Sequence, residues 1–310
     1  MRLPLFNLFE YPKHPQLYDA LRAAGPERAW TLMSDLDRLF SPIYQEEVKE
    51  FTATTRAKVI KFMNMVPALS GADKSSYADQ AAGYGPKLMF ESTFITLWLD
   101  NPGLLFKEVV EVVGAEELRA AQELGHGVLA LPLHLGPSYT IGPLISHSMP
   151  TRLVFNRMNF DEIKQAAFPN LPIEGFQLGS VSAFRAGLAA MRSGMAFSIF
   201  PELDPRGVDA HHVPVEFLGV RIFAPLGPVI MSQAAQAPMV PVVLSSLGGG
   251  KFRLVYHPMI EAPSKGASPT DALVRLWAII ESELITGQTG EWEMWHEFDR
   301  MLPSSEEDLA

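Results

Sequence analysis

The 310-residue chain contains no cysteine. Disulfides, thiolate nucleophiles, cysteine-held zinc and thiolate-bound iron–sulfur clusters are therefore excluded, and a reducing compartment fits. Basic charge is also scarce: 25 Lys and Arg stand against 35 Asp and Glu, a formal net charge of −10 without a dense Lys/Arg run. That balance speaks against a nucleic-acid partner, because phosphate backbones are gripped through a basic stripe. It also disfavours general attraction to an anionic bilayer. No apolar run reaches the roughly 18 residues that a membrane-spanning helix needs. The start, Met1 to Asn7, holds no signal-peptide core. The expectation is a cytoplasmic protein with at most peripheral membrane contact. Three motifs are missing as well: a Walker-type phosphate loop, a dinucleotide-binding glycine pattern, and a Gly-x-Ser-x-Gly elbow. Their absence weakens nucleotide-dependent and serine-hydrolase readings.

What the chain does have is a globular balance, 47% hydrophobic and 19% charged, far from the composition of disorder. Its texture changes near residue 125. Residues 14 to 125 read as helical, with Leu17, Leu21 and Ala24, then Val48, Phe51, Val59, Phe62 and Met65, at helical spacing. A Gly/Ser/Asp-rich loop from Pro67 to Ser76 interrupts them. Ala115 to Leu124 is a short helix with Gly125 placed to close it. From Gly127 onward, short apolar runs bounded by turn residues suggest buried strands at 127–133, 151–156, 174–178, 195–200, 239–245 and 252–257. Helices fit between them at 139–146, 160–167 and 182–192. Gly248-Gly249-Gly250 reads as a hairpin turn. Ser268-Pro269-Thr270-Asp271 reads as an N-cap, a first-turn proline and an acid opening a helix to Ile285. Alternating strands and helices indicate an α/β fold. We expect a central, mostly parallel sheet flanked by helices, with residues 1–114 as an N-terminal helical cap on a core of residues 115–310.

Three constellations fall just after strand candidates, where open α/β sheets place their ligand sites. The first is His134, followed by Gly136-Pro137-Ser138 and a helix start. A histidine there suits a general base, and backbone N–H groups from Gly136 to Ser138 could receive a developing oxyanion. The second is Phe200-Pro201-Glu202-Leu203-Asp204-Pro205-Arg206-Gly207, which puts two carboxylates and an arginine into one loop. It can bind a substrate or orient the histidine; an ordinary turn with solvated charges is the bland alternative. The third is Arg157 with Asn159, placed to hold a phosphate or carboxylate. His211-His212 beside Asp209 is a poor chelate, since adjacent residues rarely bind one ion, and no metal site is expected. His147, His257 and His296 read as structural or surface residues. The Met63-Asn64-Met65-Val66 and Phe90 to Trp98 segments read as core packing, with an acyl-chain groove as the sharper alternative.

The order of these motifs carries a resemblance. Gly125 to Gly136, with His134 at the strand end, resembles the catalytic segment of the lysophospholipid acyltransferase-like superfamily, and most closely the bacterial lipid A lauroyl/myristoyl acyltransferases. Arg157 with Asn159 is similar to the basic segment of that branch, and Phe200-Pro201-Glu202 to its Pro-Glu loop. Val213 to Gly219, Met239 to Val243, and the Trp-containing Glu291 to His296 resemble its later segments. The resemblance covers residues 115 to 300. It implies acyl transfer from an acyl-CoA or acyl carrier protein thioester to a hydroxyl or amine, with the donor as substrate and no cofactor. His134, Tyr139 and Glu202 are its catalytic positions. Arg157, Asn159, Gly136, Ser138, Asp204 and Arg206 are its substrate-binding positions. The acceptor is either a lipid or a soluble metabolite; the lack of an anchor, which the branch usually carries, leans toward the latter.

One position departs from the pattern. The family has Asp or Glu five residues after the histidine, and this chain has Tyr139. A phenol is neutral at pH 7 and cannot supply the charge that stabilises an imidazolium. Three outcomes follow: Tyr139 holds the ring in a weaker dyad, Glu202 or Asp204 takes over from another loop, or the chemistry is altered or lost. Loss would leave an acyl-binding protein, and a wetter site would leave a hydrolase.

Overall fold

The computed structural model describes residues 4–155, 159–177, 181–202 and 212–302. The N-terminal region supplies α1 (Pro15–Ala24), α2 (Pro26–Met65), α3 (Lys74–Thr96) and one helical turn, α4 (Pro102–Leu104). After them come β1 (Val110–Val113), α5 (Ala115–Glu123), β2 (Val128–Pro132), α6 (Ile141–Ile145), β3 (Thr151–Phe155), α7 (Phe160–Ala167), β4 (Ile173–Gln177), α8 (Val181–Arg192) and β5 (Ala196–Ser198). The chain continues with β6 (His212–Phe217), β7 (Val220–Pro225), α9 (Gly227–Ala235), β8 (Met239–Gly248), β9 (Lys251–Tyr256) and α10 (Thr270–Glu283).

Seven strands form one sheet in the order β1-β9-β8-β2-β5-β3-β4, and β6 and β7 form a separate hairpin. The five strands from β8 to β4 run parallel, whereas β9 turns back antiparallel on β8 and carries β1 parallel to itself. The α/β fold with a mostly parallel sheet and flanking helices is therefore the one expected. The central strands are long apolar runs because both faces are covered: every residue of β2 and β5 is buried. One face packs a core that contains Val128, Ala130, Val240 and Val242 against Trp30, Phe94 and Trp98 of the N-terminal region. The other packs Leu129, Leu131, Phe197 and Val243 against Phe62, Met63, Trp277 and Trp292. Met63, Phe94 and Trp98 are thus core residues, as the blander reading had it, while Met65 stays exposed.

Three expectations need correction. Val110–Val113, read as part of the helical stretch, is strand β1; its β-branched residues add to the sheet edge through pairs such as Val110 with Phe252. Helix α3 starts inside the expected 67–76 loop, at Lys74, because the Asp73 carboxylate caps it by accepting the Ser76 N–H. At α10 the cap is shifted by one residue: Pro269 takes the N-cap place and the Ser268 hydroxyl accepts the Thr270 N–H. Gly125 does sit just past α5 with a left-handed φ of 76°, as expected.

Candidate active site

Strands β2 and β5 are neighbours, and Ala130 pairs with Ser198. His134 and Glu202 each stand four residues beyond that pair. Two segments far apart in sequence therefore leave the sheet side by side at its C-terminal edge. Past β2 the chain folds into two tight turns. The Leu135 N–H donates to the Leu133 carbonyl at 2.7 Å, around His134, and the Ser138 N–H donates to the Gly136 carbonyl at 2.7 Å, around Pro137. Pro137 has φ −75° and ψ 55°, close to the inverse γ-turn minimum that its ring favours.

Between the turns sits Gly136, with φ +56°. A Cβ there would lie 1.9 Å from the Leu244 carbonyl oxygen of β8. Only glycine fits, and the Tyr84 hydroxyl of α3 fixes the same residue by donating to its carbonyl at 2.6 Å. Gly136→Ala adds both a left-handed L-residue and a backbone overlap. It should lower stability by about 2 kcal/mol, read as a fall in the thermal unfolding midpoint.

His134 is held by three contacts. Its Nδ1 lies 2.8 Å from Glu202 Oε2. Its own backbone N–H donates to the other carboxylate oxygen, Glu202 Oε1, at 2.8 Å. Phe200 stacks on the ring at a centroid distance of 3.9 Å and an angle of 23°. Glu202 is fully buried, and a carboxylate without water needs its lone pairs occupied. The Trp292 indole supplies a third donor, Nε1 to Oε1 at 3.3 Å. With Nδ1 turned to Glu202, Nε2 is the ring nitrogen on the opposite side, and the imidazole side chain keeps 15% of its surface exposed. Burial disfavours the charged ring, but the Glu202 charge and hydrogen bond outweigh it, with a smaller contribution from Glu293. The net effect holds His134 above the usual 6.5.

The last described segment closes the site from the C-terminal side. Leu135 and Trp292 form an antiparallel bridge, and the Glu293 N–H donates to the His134 carbonyl at 3.0 Å. Trp292 is buried against Phe217, Trp295 and Phe298, so the segment is anchored by aromatic packing.

Residues 28–298 match the family of bacterial lipid A biosynthesis acyltransferases. The chain belongs to that family. Among solved structures it is similar to the 1-acyl-sn-glycerophosphate (LPA) acyltransferase PlsC from Thermotoga maritima. The identity is 14%, with 79% of this chain and 98% of that chain covered and a TM-score of 0.37. No curated protein matches the chain in sequence. The family assignment makes acyl transfer the general chemistry of the chain.

Of the residues singled out from the acyltransferase-like motifs, the structure brings His134 and Glu202 into direct contact, with Gly136 beside them. Tyr139 does not take the family acid's place on the ring: that contact belongs to Glu202, while the Tyr139 hydroxyl acts on the Glu293 carboxyl and favours its charged form. The Ser138 N–H is not available to an oxyanion, because it is donated to Gly136, and Pro137 has none. The Gly136 N–H lies within the antiparallel bridge to the Trp292 segment. Asn159 is exposed at the start of α7, and among the described residues no hydrogen bond ties it to His134 or Glu202. Arg157, Asp204, Arg206 and His211 lie outside the described residues. His147 packs edge-on against Phe106, and His257 faces Glu283 at 3.2 Å. Among the described residues no group of three metal-ligating side chains gathers, and no helix is long and apolar enough to cross a membrane.

Motif reading gave no role to Phe200, Trp292 or Glu293. Their signal lay in segments already quoted for the family resemblance: an aromatic directly before Pro-Glu, and two of the five tryptophans amid carboxylates in 291–296.

Proposed function

We propose that this chain transfers an acyl group from an acyl thioester, carried by CoA or by an acyl carrier protein, to a hydroxyl or amine acceptor, with His134 as general base. The observation that carries the reading is the Nδ1–Glu202 contact at 2.8 Å. It fixes the tautomer in which Nδ1 bears the proton and Nε2 accepts one. In the reaction Nε2 takes the acceptor's O–H or N–H proton as the acceptor attacks the thioester carbonyl. The tetrahedral intermediate then expels the thiolate, which recovers that proton from the imidazolium. Glu202 stabilises the imidazolium in between without itself moving a proton. Phe200 supports it too, since a cationic ring gains from an aromatic face.

The net charge of −10 supports a soluble acceptor over a membrane lipid, and the cytoplasm, where both thioester donors are made, is the compartment that fits. Thiol release from acyl-CoA and acyl carrier protein donors, measured with and without an acceptor panel of amines and alcohols, tests this reading. Release that depends on the acceptor, with a matching ester or amide product, supports transfer. Equal release without acceptor means hydrolysis. Donor binding without any release means a binding protein.

A further inference from the structure

We propose that Glu293 is a second positioning acid for His134, and that Tyr139 acts on the ring through it. The inference rests on His134 being the base. The backbone places Glu293 there, since its N–H is donated to the His134 carbonyl at 3.0 Å and its neighbour Trp292 bridges Leu135 and donates to Glu202. Its Oε2 is sealed from solvent and has no hydrogen-bond partner among the described residues. A buried acceptor left open is costly, and sites retain such groups when they serve the chemistry. The Tyr139 hydroxyl favours the charged form of the same carboxyl, so the residue standing where the family has its acid acts on an acid instead of replacing one.

The groups facing Glu293 are His134, Glu202, Glu297, Tyr139 and Tyr84. Burial raises its carboxyl above the usual 4.5. The His134 charge opposes this, the Glu202 and Glu297 charges add to it, and the Tyr139 hydrogen bond opposes it. Glu293 and His134 therefore each favour the charged form of the other. Proton uptake by the ring favours the Glu293 carboxylate, and that carboxylate in turn favours the protonated ring. Glu202 fixes the tautomer; the Glu293 carboxylate adds negative charge that favours the imidazolium.

The test is the His134 ring titration, followed by NMR on the full-length protein without substrate, so that it stands apart from any failure of acyl transfer. His134→Ala assigns the resonance. In Glu293→Gln the His134 pKa should fall by about half a unit or more, because a favourable negative charge is gone. Tyr139→Phe should move it the same way by less, since losing the hydroxyl favours the neutral Glu293. In Glu293→Gln, adding Tyr139→Phe should change nothing further. An unshifted His134 in Glu293→Gln overturns the inference, as does a Tyr139→Phe effect that persists without Glu293. If Glu293→Gln does not fold, Tyr139→Phe alone decides: a fall supports the coupling, and no fall rejects it.

Discussion

His134→Ala is expected to reduce acyl transfer by roughly 10³–10⁴-fold, the scale of losing a positioned general base. The effect should fall on the rate constant more than on donor KM, because the imidazole matters when the acceptor's proton moves. The side chain lies at the centre of a tight turn with part of its surface exposed, and its carbonyl and N–H bonds survive the change. The variant should therefore fold, as judged by circular dichroism and thermal melting. Full activity in this variant would remove the mechanism.

Glu202→Gln is expected to cost about 10³-fold while keeping nearly the same shape. Two effects combine. The first is the tautomer: an amide N–H turned to Nδ1 favours the ring protonated at Nε2, which is no longer a base. The second is charge. Glu202 holds the His134 pKa above 6.5 against burial, so activity of the wild type should rise with pH through a value above that of an ordinary histidine. With glutamine, burial remains and the compensating charge is gone, so the acid limb should move to lower pH as the maximum rate collapses. A pH–rate profile at saturating donor separates the two effects. A Glu202→Gln variant with wild-type rate and profile would mean that the pair at 2.8 Å has no catalytic role.

Much of this was legible in the sequence, and particular residues show why. All six strand candidates from Gly127 onward are strands, because central parallel strands must be apolar on both faces and so stand out as short greasy runs. Strand β1 was hidden because Val110-Glu111-Val112-Val113 is an edge with one buried residue, and a four-residue edge pattern does not separate from a helix. His134 was singled out because it directly follows a buried strand at the sheet edge where open α/β folds place their sites, and because the motif order around it resembles the family. The choice among Tyr139, Glu202 and Asp204 as its acid could not be made, because it turns on which strands are neighbours and in what register. Glu293 was hidden for the same reason: it is 159 residues from His134, and only the Leu135–Trp292 bridge brings it close.

The linear chain by itself determined the fold class, the family resemblance and the candidate base, since these depend on periodicity, strand-end position and motif order, all of which are local. The tertiary structure alone decided the charge around that base. Register between β2 and β5 sets Glu202 on Nδ1, and a C-terminal segment pinned by tryptophans sets Glu293 beside it. Electrostatic coupling falls off over a few ångströms of space, and spacing along the chain does not report that distance.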